Sequence, residues 1–173
     1  APDGRPGTPP PPVEQADLEA VAREAGCELR LDLPDEGSTH FEAPSEAPDY
    51  ETSPPTSGDH IVSPLQQADG AYSETVGAPF AVHALEHGRI EIQYSPDLPE
   101  QDQLALKGLF DEDPAGMLLF PNPEMPYDVA ATAWTQLAGC DRYEGRATLD
   151  ALRAFRDIYR GQGPEPVAIQ LAG

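Results

Sequence analysis

The stretch PFAVHALEHGRIEIQY, residues 79–94, sets the reading of the chain. Pro79 suits the first turn of a helix, and PFAVHALEH makes about two turns before Gly88 ends them. RIEIQYS then alternates Ile90, Ile92 and Tyr94, the period of a strand. The same stretch holds two of the chain's four histidines, His83 and His87. On a helix, residues four apart share a face, with Cβ atoms about 5–6 Å apart. The other two histidines are His40 and His60, so all four fall within residues 40–87.

Upstream, VEQADLEAVAREA (13–25) places Leu18, Val21, Ala22 and Ala25 at helical spacing, and Gly26 ends the run. CELRLDL alternates as a short strand that Pro34 stops. Residues 34–78 lose all periodicity. They are rich in Pro, Ser, Gly, Asp and Glu, and a connection that long in a compact domain is functional or disordered. Downstream, Leu104, Leu106, Leu109 and Phe110 mark an amphipathic helix, GMLLFP a buried strand, and DVAATAWTQLAG a β-leaning segment. Leu149, Leu152, Phe155, Ile158 and Tyr159 mark the clearest helix, and GPEPVAIQLAG reads as surface coil. The expected fold is α+β, or an α/β sandwich: a small mixed sheet flanked by helices, with a long irregular Pro/Gly-rich segment.

With 173 residues, one domain with a proper core is expected. The 21 prolines and 15 glycines explain the irregular segments. Residues 1–12 read as a Pro/Gly-rich flexible tether and 13–173 as a single metal-binding-type domain. No apolar run is long enough for a membrane span, so no transmembrane segment is expected in this chain. The opening APDGRPGTPPPP lacks both Met and an apolar stretch, which suits a mature chain after removal of a targeting peptide, or a trimmed one.

Thirty-one acidic residues against ten basic ones give a net charge of −21. Such a surface repels phosphate backbones, which argues against nucleic-acid partners, and it repels superoxide too. It attracts divalent cations, or serves solubility alone. Cys27 and Cys140 would be free buried thiols in a cytosolic protein and a pair in an exported one. Pairing is the expectation, and without a CxxC motif thiol redox catalysis is not.

HALEH differs from the zinc-protease pattern H-E-x-x-H but fits the inverted H-x-x-E-H. The short helix and the lack of a matching distal acidic helix weigh against an inverted zinc protease. His60 follows a Pro-Pro turn and a glycine in PPTSGDH, and His40 follows Gly37, Ser38 and Thr39. Loops of this kind let imidazoles converge. The plain alternative is one core and one surface histidine on the helix.

The motifs GCELRLDLPDEGSTH, YETSPPTSGDH, GAY, VHALEHGRIEIQY, LLFPNP, TAW, Cys140 and FRDIYRGQGPEP resemble the bacterial family catalogued as domain of unknown function 3105, over roughly residues 26–166. PPTSGxH and HxLEHG together carry the likeness. The resemblance implies an exported or membrane-anchored protein in which His40, His60, His83 and His87 act as a set and Cys27 and Cys140 recur. It implies no chemistry.

Imidazoles without thiolates suit copper, with zinc the alternative; Ca and Mg prefer oxygen. Glu86 is a candidate weak ligand or a carboxylate orienting an imidazole, against a solvated helix residue. Met125, in the loop NPEMPY, could add a thioether, as could Met117, though both fit core packing. Tyr50, Tyr72 and Tyr94 fit packing and Asp59 a turn. Two functions are expected: a mononuclear copper centre with redox activity like that of copper-only superoxide dismutases, similar in ligands and not in fold, or a non-catalytic copper or zinc carrier, sensor or structural module. The second implies a larger cell-envelope or surface-layer assembly as partner. A zinc hydrolase using Glu86 as base is a third reading, and a Ser57 triad has no nucleophile-elbow motif to support it. An extracytoplasmic location follows from the expected pairing and the resemblance.

Overall fold

The computed structural model describes residues 1–62, 67–167 and 169. Four α-helices and two sheets alternate along them. Helix α1 (Leu18–Ala25) begins where the Asp17 side chain accepts the Ala20 N–H, and ends at Gly26 in the left-handed region. Strand β1 (Cys27–Arg30) follows. In the irregular stretch β2 (His40–Phe41), a 3-10 turn (Pro44–Glu46), β3 (His60–Ile61) and β4 (Gly70–Ala71) are brief. Then come α2 (Ala78–Glu86), β5 (Ile90–Tyr94), α3 (Glu100–Glu112), β6 (Met117–Pro121), β7 (Val129–Ala133), β8 (Gln136–Cys140) and α4 (Arg146–Tyr159).

Six strands form one mixed sheet in the order β1-β8-β7-β5-β6-β4, and β2 and β3 form a small parallel pair apart from it. The fold is α+β. On one face of the large sheet Ile90, Ile92, Met117, Leu119, Val129 and Ala131 pack against α1, α3 and α4. On the other, Leu118 and Phe120 pack against Ala81 and Ala84 of α2. Both faces are therefore covered. The segment expected as a strand from its alternation is β5, and all five of its residues are buried, the polar ones included.

One consequence is Glu91, fully buried beside its register partners Leu118 and Thr132. Among the described residues neither carboxyl oxygen has a hydrogen-bond partner, nor does Thr132 Oγ1. Burial pushes the Glu91 carboxyl well above its usual range, so the neutral acid is favoured.

The segment DVAATAWTQLAG, expected as one β-leaning run, is a hairpin: β7 and β8 pair antiparallel with Ala133 opposite Gln136. Its turn is Trp134-Thr135, with Thr135 at φ +63°. A β-branched residue there is strained, and no Asn-Gly or Gly signals the turn. Outside contacts hold it. Thr135 N–H donates to Thr56 O at 2.9 Å, and Leu33 N–H donates to Thr135 O at 3.0 Å.

Residues 1–12, expected as a free tether, lie along the domain instead. Asp3 N–H donates to Ala71 O at 2.8 Å and Thr8 N–H to Leu104 O at 2.9 Å. Gly108 opens the notch on α3, where a Cβ would stand 1.6 Å from Thr8 O. The tail read as surface coil is irregular and mostly exposed over residues 163–167, and the backbone of 161–167 runs back across the end of α2; 168 and 170–173 lie outside the described residues. Among the described residues, no helix is long and apolar enough to cross a membrane.

Cys27 and Cys140 are register partners on β1 and β8 and are joined in a disulfide. It closes a loop of 113 residues and ties the edge strand to the sheet. A Cys27→Ser/Cys140→Ser variant is expected to lose about 2–5 kcal/mol of stability, read from the shift of its urea midpoint. For Glu91 the sign follows from its raised pKa: folded-state stability falls as pH rises above the unfolded value of 4.5. Glu91→Gln should melt above wild type at pH 8, with the gap narrowing as pH falls towards 4.5. Equal pH slopes in the two proteins would show that the carboxyl does not titrate in this way.

Candidate metal centre

Three separate pieces of chain bring the histidines together. The first two are β2 and β3, which pair in parallel with His40 directly opposite His60. In-register neighbours point to the same side of a ladder, and the two rings lie 4.6 Å apart between centroids. The register is pinned by His60 N–H donating to Thr39 O at 3.0 Å and by Val62 N–H donating to Phe41 O at 2.9 Å. Asp59 confirms its turn role: its carboxylate accepts Thr39 N–H at 2.9 Å. Tyr50 locks the same turn by donating to Asp59 O at 2.7 Å.

The third piece is the last turn of α2. Helical spacing sets His83 Nε2 and His87 Nε2 3.1 Å apart. Glu86, three residues after His83, shares that face. His83 lies 4.8 Å from His60 and 5.4 Å from His40 between ring centroids. His40, His60, His83 and Glu86 each offer a ligand atom, and these atoms all lie within 4.8 Å of one another. His87 is not in this tetrad. It adjoins the His83 ring at 4.9 Å and forms a second group with Glu86 and Glu165.

Hydrogen bonds fix which ring nitrogens are free. His60 Nδ1–H donates to Gly58 O at 2.8 Å, which leaves Nε2 as an acceptor in the neutral ring. That Nε2 faces Glu86 Oε2 at 3.2 Å. His87 Nδ1–H donates to Glu165 O at 2.7 Å, so its Nε2 is the lone-pair nitrogen in the neutral ring, and it faces His83 Nε2 at 3.1 Å. Metal-binding histidines commonly spend their other N–H on a backbone carbonyl in this way. Burial, followed by the neighbouring His60, His87 and His40, lowers the His83 pKa from 6.5 to about 4, so this ring is neutral at neutral pH. Glu86 is buried, and its ion-pair partners among the described residues are the imidazoles of His40, at 3.5 Å, and His60. The cluster also sits at the C-terminal end of α2, where the helix dipole favours positive charge.

The surroundings hold the rings in place. Trp134 meets His60 edge-on at 6.1 Å and donates its Nε1–H to Asp35 Oδ2 at 3.0 Å. It packs with Val82 and Leu85 on α2, so the strained hairpin turn braces both β3 and the helix.

The other candidates fall elsewhere. Met125 packs with Leu33 against Tyr127, Ala130 and Leu137, and Met117 is in the main core. The Ser57 hydroxyl is buried and accepts Glu36 N–H at 2.9 Å, which suits a loop brace and not a nucleophile. Glu86, expected at the margin of the site, belongs to the tetrad. Glu165 escapes sequence reading because nothing local marks it within the tail. The i+3 spacing of Glu86 from His83 was the available signal for the former.

In metal-free protein, the lowered pKa of His83 makes stability fall as pH drops from 6.5 towards 4, because the unfolded chain gains a proton that the folded chain refuses. Urea titrations with chelator at pH 7 and pH 5 should show this loss, and His83→Asn should have the shallower slope. A slope unchanged by the substitution would contradict the assignment.

Neither the curated proteins nor the solved structures compared with the chain contain a match. A family model described as Protein of unknown function (DUF3105) matches residues 42–171, a span that takes in His60, His83, Glu86, His87 and Cys140, and the chain belongs to that family.

Proposed function

We propose that the protein is a transition-metal-binding module of the cell envelope, with a mononuclear copper(II) centre held by His40, His60, His83 and Glu86 and flanked by His87. One observation carries the reading. The His60 Nε2 and Glu86 Oε2 acceptors meet at 3.2 Å in a buried place, with the His60 N–H already spent on Gly58. Two lone pairs at that distance repel unless a proton or a metal cation lies between them.

Three imidazoles and one carboxylate are borderline donors. They suit copper(II) and zinc(II), and copper(II) binds such sets more tightly. Carrier, sensor or structural use is the reading we prefer, because three of the four ligand residues are buried. The Glu86 carboxylate lies against two imidazoles and is not poised as a hydrolytic base. A copper redox activity of the superoxide dismutase kind is the second reading. It is favoured by His40, whose exposed side chain gives the centre an edge on solvent, and opposed by the net charge of −21. An oxidising compartment is the location we propose, since the disulfide would persist there.

Untagged protein loaded with copper(II) or zinc(II) and dialysed against a weak chelator should keep about one equivalent of metal and melt at higher temperature. His40→Ala, at an exposed position, should weaken retention by about tenfold or more while leaving the apoprotein folded. Retention below about 0.2 equivalents of either metal by wild type would remove the reading. Given bound copper, equal superoxide dismutation by wild type and His40→Ala would leave only the carrier reading.

A further inference from the structure

The C-terminal strap brings a carboxylate against the tetrad from the far end of the chain. After α4 the backbone turns at Gly161, whose N–H donates to Gly88 O at 2.8 Å. Glu165 N–H donates to Glu86 O at 3.1 Å and Val167 N–H to His87 O at 3.3 Å. Arg89 fastens the far end, donating from Nη1 to His87 O at 3.1 Å and to Val167 O at 2.9 Å. Gly163 permits the close approach: a Cβ there would stand 2.2 Å from Glu86 O and 2.5 Å from Gly88 N. The strap is thus seated on the end of α2 by its backbone.

This seating brings ligand atoms of Glu86, His87 and Glu165 within 4.8 Å of one another. Acidic groups near a surface are common, and the proximity alone would mean little. Two further observations point to a cation. Glu86 is almost wholly buried, and its Oε1, which faces the His40 ring at 3.5 Å, has no hydrogen-bond partner among the described residues, so the carboxylate shared between the two groups lacks a fixed cation. The strap itself also fixes the His87 tautomer, because the Glu165 carbonyl takes the Nδ1–H at 2.7 Å and leaves Nε2, 3.1 Å from His83 Nε2, as the lone-pair nitrogen.

We infer that Glu86, His87 and Glu165 form a second, outer divalent-cation site that shares the Glu86 carboxylate with the inner centre. One imidazole and two carboxylates make a harder set than the inner one, suited to zinc(II) and weaker in total. Glu165 is exposed, so this site faces solvent, and the net charge of −21 raises the local concentration of cations around it. A cation held there already has one ligand of the buried centre. The outer site therefore serves as a loading position, with Glu86 passing from one cation position to the other. The inference rests on the inner metal reading through that shared carboxylate.

Zinc(II) titration calorimetry on the full chain tests it. Wild type should bind in two steps, the tighter at the inner centre. Glu165→Gln should keep the tight step and weaken the second by about tenfold or more. Gly163→Ala should do the same without touching a ligand, by lifting the strap, and circular dichroism should show both variants folded. A single step that Glu165→Gln leaves unchanged would overturn the outer site alone. Absence of any binding step in wild type would overturn the inner reading and the outer site together.

Discussion

The structure around the histidines depends on a buried carboxylate. Glu86 sits in the last turn of α2 with its carboxyl group taken out of water, and burying such a group without a compensating partner is costly. No arginine or lysine among the described residues forms an ion pair with it. Its neighbours are imidazoles, and that of His60 has already given its proton-bearing nitrogen to a carbonyl. The polypeptide alone leaves this corner short of positive charge. That shortage ties α2, the β2–β3 pair and the C-terminal strap into one problem, because each supplies an acceptor and none supplies a fixed cation.

The long irregular segment makes sense in those terms. Ordering a residue costs roughly 1–2 kcal/mol of conformational entropy, and a segment without helix or ladder recovers little of that locally. Here the recovery comes from single polar contacts spaced along it: Asp35 with Trp134, Ser57 with Glu36, Asp59 with Thr39, Thr56 with Thr135. Most brace the two histidine-bearing strands or the hairpin turn behind them. Thr135 keeps a left-handed conformation that a β-branched residue resists, and the strain is sustained only because the loop docks on both sides of the turn. A cation bound by His40, His60 and Glu86 would join that segment to the helix directly, so metal affinity and the order of the segment would be linked.

What could be read in the sequence was whatever local spacing encodes. The i, i+4 pair His83–His87, the alternation of β5 and the period of α4 are such cases, and each appears as expected. The disulfide was open to inference from two cysteines and a presumed compartment. What stayed hidden depends on contacts between distant segments. The β2–β3 pairing is two residues long on each side and has no pattern of its own. The hairpin turn has no glycine or asparagine because its backbone is held from outside. Residues 1–12 have a linker's composition, yet they dock because Gly108, a hundred residues away, leaves them room. The alternation of β5 gives no sign that Glu91 is buried, because its burial comes from α2 covering that face of the sheet.

The division between nitrogen and oxygen donors bears on how a metal would move through the site. Glu86 has one oxygen toward His40 and the other toward His60, while its helix neighbour His87 spans the gap between His83, which its Nε2 meets at 3.1 Å, and the strap, which its Nδ1–H meets. A carboxylate can bind a cation through either oxygen and change mode with little motion, whereas each imidazole offers one fixed direction. Placing the carboxylate between two groups of more rigid ligands lets it stay attached while the others exchange. A purely structural site gains nothing from that arrangement, since closed sites of rigid ligands hold metal best. The mixed set, buried on one side and exposed at His40 and Glu165 on the other, fits a centre that takes up metal and gives it back.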